Sequence, residues 1–276
     1  MLLGHDKLIK SFKRLADDNS LFHAYLFVGE KGIGKFSFAR SLGNYLENGE
    51  FDLPPEDRVL SETLVIKKTG KENIGIDQVR EIRHFLSEKP LKSRRRLVII
   101  DEAETFSDRA GDAVLKITEE PPENGLIILV AGSPESVLRT IKSRTQSVYF
   151  KKVPRKETAE WLEKEKGIKK SRAEELAEKS FGKPGLALKM EKEKELYSFA
   201  ESFIKNPAKR QAMIRGMLKE ENADVPEFLE ALLAVLRSAE SAESFRALGA
   251  ITETMTKIMD YTLNKRLQLE AMANNF

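Results

Sequence analysis

Up to about residue 150, the chain alternates short, almost continuously apolar runs with stretches of helical spacing. AYLFVG (Ala24–Gly29), TLVI (Thr63–Ile66), RLVIID (Arg96–Asp101) and LIILVA (Leu126–Ala131) lack alternating polar positions. Strands covered by helices on both faces read this way, and such strands are usually parallel. Ile76–Ser87 and Ser107–Glu119 are amphipathic at helical spacing, and strand alternating with helix predicts an open α/β sheet. After Val153-Pro154 the strand pattern stops. Lys156–Lys166, Ser171–Ser180 and Pro184–Glu195 predict three short helices, with Ser171 and Glu174 forming a capping box and Gly167 and Gly182 as stops. Beyond Asn206-Pro207, longer helical patterns cover Lys209–Lys219, Pro226–Ser238, Ala242–Leu263 and Arg266–Ala273. The expected layout is a nucleotide-type α/β domain over 1–152, a small helical domain over 153–205 and a helical bundle over 206–276.

Two motifs on this frame carry chemistry. GEKGIGKF, Gly29–Phe36, follows the first strand and opens a helix, the context of a phosphate-binding loop. Gly29, Gly32 and Gly34 let backbone N–H groups face phosphate oxygens, the helix N-terminus adds positive potential, and Lys35 supplies a full charge. The pattern breaks at Phe36, which stands where a Ser or Thr hydroxyl binds magnesium. The second motif is Asp101-Glu102 at the end of an apolar strand. In a hydrolase Asp101 would hold the metal and Glu102 would polarise the attacking water.

Composition narrows the partners. Lys+Arg 47 against Asp+Glu 44 nearly cancel, so any nucleic-acid surface must be local. The basic run KPLKSRRR, with Arg94, Arg95 and Arg96, is the candidate for phosphate-backbone contact; Lys67, Lys68 and Lys71 form a weaker cluster. Cys is absent, which removes disulfides and thiolate zinc sites. The start, MLLGHDKLIK, lacks the apolar stretch of a secretory signal, and no apolar run is long enough for a bilayer, so a cytoplasmic protein without membrane contact is expected. Trp161 is expected in the core.

Residues Asp101–Gln146 resemble the clamp-loader branch of the AAA+ ATPases, most nearly the delta prime and gamma/tau subunits of bacterial DNA polymerase III. The likeness rests on LKITEEPPEN (Leu115–Asn124), IKSRT (Ile141–Thr145), HAYLFVG (His23–Gly29) and IGIDQVREI (Ile74–Ile82), and continues more thinly through FGKPGLAL (Phe181–Leu188) and NKRLQLEAM (Asn264–Met272). It implies an AAA+ sheet domain, a helical lid and a collar domain that joins a hetero-pentamer of clamp-loader subunits. Such assemblies open a sliding clamp and close it around primed DNA, which places clamp and primer–template among the implied contacts.

Within that family the departures point to a role. Phe36 replaces the magnesium hydroxyl, Ala131-Gly132 stands where motor subunits place γ-phosphate-sensing threonines, and Gly185 falls at the position of their lid arginine. Ser143 and Arg144 are retained, and an arginine finger acts in trans on a neighbour's nucleotide. The resemblance therefore implies a delta-prime-like, non-hydrolysing subunit of the polymerase III holoenzyme that lends Arg144, with at most weak ATP or ADP binding of its own. Relatives carry a four-cysteine zinc module after the loop helix; residues 44–62 here contain no Cys and are expected as a plain loop without metal. Gly4 and His5 fall where relatives pass the adenine. The alternatives are a gamma/tau-like motor holding magnesium through Asp101 and water, a small-molecule kinase, and a helical adaptor with a vestigial loop.

Overall fold

The four apolar runs form strands in the computed structural model, which describes residues 2–55, 58–68, 73–219, 224–237, 242–258 and 264–274. After α1 (Asp6–Asp17) come β1 (Ala24–Val28), α2 (Lys35–Asn48), β2 (Thr63–Ile66), α3 (Ile76–Ser87), β3 (Arg96–Ile100), α4 (Asp108–Glu119) and β4 (Gly125–Ala131). A four-residue α5 (Arg139–Lys142) leads into β5 (Gln146–Tyr149). All neighbours pair parallel, in the order β2-β3-β4-β1-β5.

The strands read as continuously apolar because both faces are covered. Leu26, Val28, Val98, Ile100, Ile127 and Leu129 face α3 and α4 residues such as Val79, Ile82 and Val114. Tyr25, Phe27, Leu97, Ile99 and Ile128 face Phe12 of α1 and Phe38 and Leu42 of α2. Phe12, Phe27 and Phe38 meet edge to face at 5.3–5.7 Å between centroids, a geometry that favours aromatic pairs beyond their area alone.

Helices follow: α6 (Arg155–Lys166), α7 (Lys170–Lys179), α8 (Pro184–Lys192), α9 (Lys194–Lys205), α10 (Arg210–Met217), α11 (Val225–Leu236), α12 (Ala242–Ile258) and α13 (Lys265–Ala273). Contacts divide the chain into two compact units, Met1–Ala177 with Phe181–Leu186, and Glu178–Ser180 with Ala187–Phe276. In the second unit Phe203 of α9 meets Phe228 of α11 at 5.4 Å. Lys189 is ringed there by Glu193, Glu227 and Glu230 at 3.2–3.6 Å, and burial, helped by repulsion from those carboxylates, pushes the Tyr197 hydroxyl up to about 12.

Several local expectations are corrected. β5 was not foreseen because QSVY is a half-exposed edge strand without an apolar signature. Pro184–Glu195 is not one helix: α8 ends at Lys192 and α9 starts at Lys194. α7 begins at Lys170, which puts Ser171 inside the helix rather than at its cap. Trp161 is half-buried and carries the Lys166 ammonium 5.1 Å over its ring instead of sitting in the core. The loop expected over 44–62 starts late, since α2 continues to Asn48 and stops at Gly49 in the left-handed region. Ser238, Leu263 and Lys71 lie outside the described residues. Among the described residues no helix is long and apolar enough to cross a membrane.

Candidate functional site

β1 ends at Val28, and the chain turns through Gly29–Gly34 into α2, whose first residue is Lys35. Gly32 and Gly34 have φ of 87° and 102°, conformations that side chains rarely adopt. Val28 is level with Ala131 on β4, and Ile100 of β3 with Leu129. The loop, Asp101 and Ala131-Gly132 therefore share the carboxyl edge of the sheet, where open α/β sheets place ligand crevices. His5 supports the loop from below, its Nε2 donating to the Ile33 carbonyl at 3.0 Å and its ring 4.8 Å from Phe150. Gly4 beside it has φ 71°, and a Cβ there would lie 2.9 Å from Val153 Cγ2.

The groups at this edge are satisfied within the chain. Lys35 is 6% exposed, and its ammonium folds back to donate to the Gly29 carbonyl and, at 2.8 Å, to that of Glu30. Burial lowers its pKa, against the pull of Glu104, Asp101 and Glu30. Burial also raises the Asp101 carboxyl, and Lys67 opposes that rise at 3.9 Å from Oδ2. Glu102 is held at φ 52° and paired with Lys68 at 3.2 Å and Lys31 at 3.6 Å. The Gly132 N–H is taken by Glu104 Oε1 at 3.4 Å. Glu30 pairs with Lys152 at 2.8 Å and Lys183 at 3.2 Å; the Lys152 hydrogen bond leads in holding its carboxyl below the usual range.

The donor set does not fit the magnesium of a hydrolytic loop. Phe36 offers no oxygen, and the Lys67 ammonium lies 3.9 Å over its ring. The lid position is closed as well: Gly185 N–H donates to the Gly32 carbonyl at 2.8 Å, and a Cβ at Gly185 would stand 3.0 Å from that oxygen. A side chain there would need the Gly32 backbone to give by a few tenths of an ångström.

Arg144 lies at the other edge. Tyr25 pairs with Gln146 and Val28 with Tyr149, so Arg144 precedes the amino end of β5 while the loop follows the carboxyl end of β1. The paired segment alone separates them by about 10 Å at ~3.3 Å per residue. The Arg144 guanidinium meets Glu119 Oε1 at 2.5 Å and donates to Thr140 O at 3.0 Å and Ser143 Oγ at 3.3 Å. Its side chain is 35% exposed and lines a cavity of about 530 Å³ with Phe22, His23, Glu119 and Ser143.

The basic run before β3 is built around a buried acid. Glu62, 2% exposed, accepts from the backbone N–H groups of Leu91, Lys92 (2.8 Å) and Ser93 (2.7 Å) and from the Ser93 hydroxyl (2.5 Å). Burial pushes its pKa up, but these hydrogen bonds outweigh burial and hold it below the ordinary value. Arg96 is buried, pairs with Glu88 at 2.7 Å and stacks 4.7 Å over Phe85. Arg94 is exposed and reaches the Asp17 carbonyl at 3.3 Å; Arg95 is half-buried.

The sequence-derived candidates thus form three groups rather than one, with Arg94, Arg95 and Arg96 in and beside the turn before β3. Gly29, Gly32, Gly34, Lys35, Asp101 and Glu102 converge on the carboxyl edge, whereas Ser143 and Arg144 stand apart from them. Sequence reasoning missed Lys67 against Phe36, Lys152 and Lys183 on Glu30, and Glu119 as the partner of Arg144. Glu119 lay in the EEPP stretch, Lys183 in FGKPGLAL and Lys67 in the weaker basic cluster, but nothing in the sequence paired them with these partners.

Residues 4–154, more than half of the chain, match the family model described as DNA polymerase III, delta subunit. The gamma/tau subunit of Mycobacterium tuberculosis (strain ATCC 25618 / H37Rv) is 32% identical over 164 residues, spanning 55% of this chain and 28% of that protein. The tau subunit of Bacillus subtilis (strain 168) is 30% identical over 161 residues, spanning 55% and 29%. The chain thus spans less than a third of the length of these curated relatives. Among solved structures, a gamma subunit-related protein from Thermotoga maritima superposes with a TM-score of 0.62 at 22% identity, covering 96% of this chain and 97% of that one. The Thermotoga maritima RuvB branch migration motor superposes with a TM-score of 0.50 at 13% identity, covering 98% and 82%. At these identities the structures establish the shared fold.

Proposed function

We propose, from the premise that this chain belongs to the DNA polymerase III delta-subunit family, that it is the delta-prime-like member of a clamp loader. It is a clamp-loader-type subunit related to gamma/tau, and on this reading it hydrolyses no ATP itself. It presents Arg144 to the nucleotide of a neighbouring subunit. The observation that carries the reading is the contrast between the two sheet edges. At the carboxyl edge Phe36 stands against the Lys67 ammonium, Lys35 donates to carbonyls of its own loop, and the Gly185 N–H donates to Gly32. At the amino edge Arg144 is partly exposed beside an open cavity, too far from its own loop to serve it.

Chemically, a guanidinium placed against a neighbour's γ-phosphate stabilises the charge that develops as the bond to the leaving group breaks, and needs no competent loop behind it. Arg suits this better than Lys because its planar fork donates two parallel hydrogen bonds to phosphate oxygens. Partners are accordingly the other clamp-loader subunits, with clamp and primer–template reached through the assembly. The chain's own loop binds ATP or ADP weakly or not at all. The test is single-turnover ATP hydrolysis by the reconstituted loader carrying Arg144→Ala. The site facing Arg144 should slow by about 10³-fold; unchanged turnover would remove Arg144 from the mechanism.

A further inference from the structure

The carboxyl edge leaves one question beyond the role of Arg144: what stands where the divalent cation of a phosphate loop would be. Lys67 follows β2 directly, and its backbone is fixed on two sides. The Gln78 side chain donates to its carbonyl at 2.8 Å, and the Asp101 N–H donates to the preceding Ile66 carbonyl at 2.9 Å. From there its ammonium reaches both Phe36, at 3.9 Å from the ring centroid, and Asp101, at 3.9 Å from Oδ2. These are the two positions between which a loop of this kind grips magnesium, one by a hydroxyl and the other by a carboxylate.

We infer that the Lys67 ammonium is an internal replacement for the divalent cation, tethered covalently and matched to Phe36. An aromatic face attracts an ammonium and gives nothing to a hydrated divalent ion, so the phenyl ring at position 36 is the complement of a lysine as a hydroxyl is the complement of magnesium. The neighbouring pair completes the neutralisation: Lys31 and Lys68 sit on Glu102, so three ammonium groups face two carboxylates. A hydrated magnesium ion is drawn by uncompensated oxygen charge, and at Asp101 and Glu102 that charge is opposed by ammonium groups. The motor alternative, with magnesium held through Asp101 and water, needs the space and charge that Lys67 takes.

The consequence is that restoring the hydroxyl alone does not restore the metal site; the ammonium must go as well. The isolated full chain tests this without any partner subunit, so the outcome is independent of whether Arg144 acts in trans. Mn²⁺ is titrated into isotopically labelled protein, and paramagnetic broadening of the Asp101 signals is followed for the wild type, Phe36→Thr, Lys67→Met and the double variant. The wild type and Phe36→Thr should show no broadening centred on Asp101. The double variant should bind Mn²⁺ there at least about tenfold more tightly than Phe36→Thr, the effect of removing one positive charge at close range. Equal broadening in Phe36→Thr and the double variant, or none in either, would overturn the proposal. Should the variants not fold, the wild type alone decides. Its Lys67 ε-methylene protons should be shifted upfield by the Phe36 ring current and give cross-relaxation to it, and random-coil shifts there would equally overturn the idea.

Discussion

The two ends of the parallel sheet began with the same raw material, charged side chains on short turns, and were finished in opposite ways. At the carboxyl end Lys35, Asp101, Glu102, Glu104 and Glu30 each found a partner within the chain. At the amino end Arg144 is also partnered, by Glu119, the Thr140 carbonyl and the Ser143 hydroxyl, but it lines an open cavity with its side chain 35% exposed. Internal partners remove the electrostatic need for a ligand. A partly exposed ion pair beside a cavity is weak enough to be exchanged for another. If the loop is inactive, as proposed, the difference teaches that a lost active site need not be an emptied one. On the proposed reading, the contacts within the protein at this edge stand in for contacts to a ligand.

The sharpest way to break this contrast is to alter each edge in the assembled loader. Arg144→Ala should slow the facing site by about 10³-fold, while Lys35→Met should leave turnover unchanged if, as proposed, the loop does no chemistry. A comparable loss from Lys35→Met would put the two edges on the same footing and end the distinction.

Next in size is the anchor at the amino edge, where Glu62 organises the turn before β3. Glu62→Gln should destabilise the protein at neutral pH by about 2–3 kcal/mol, read from urea denaturation, since it weakens several charge-assisted hydrogen bonds to a buried carboxylate. The folded-state pKa of Glu62 lies below its ordinary value of 4.5. Its contribution is therefore complete above that value and fades as pH falls through the depressed one. The gap between wild type and Glu62→Gln should close on acidification; a gap independent of pH would assign the effect to packing.

Gly185→Ala tests how tightly the carboxyl edge is closed. Its Cβ would meet the Gly32 carbonyl oxygen at 3.0 Å, backbone against backbone, so a loss of about 1–2 kcal/mol is expected from the urea midpoint. No change would mean that the contact yields easily. The smallest effect belongs to Glu119→Gln. The Glu119–Arg144 pair is 46% and 35% exposed, and such pairs contribute about 0.2–1 kcal/mol. A thermal midpoint close to wild type is expected; a large drop would mark Arg144 as a structural arginine rather than one free to leave its partner.

Much of the sheet was legible because burial on both faces demands an unbroken apolar run, and β1–β4 each supply one. β5 was illegible for the converse reason, since an edge strand with half-exposed residues needs no such run. The break between α8 and α9 left no sequence mark either, as neither Gly nor Pro separates Lys192 from Lys194. At the site, the glycine spacing and the acidic strand end placed Lys35 and Asp101 correctly on one edge. The partners of these residues were not readable, and the basic run that looked like a nucleic-acid surface includes Arg96, which is buried on Glu88 and Phe85.

What the sequence determined by itself was the alternation of strands and helices, the loop between β1 and α2, and the absence of a hydroxyl at position 36. Each of these is a local property, set by side-chain periodicity or by turn chemistry over a few residues. Only the tertiary structure decided that Lys67 would stand against Phe36 and Asp101, that Glu62 would gather the amides of residues 91–93, and that Arg144 would lie across the sheet from its own loop. Those pairings join segments tens of residues apart. Their energies depend on distance and burial in the folded chain, quantities that no stretch of sequence contains.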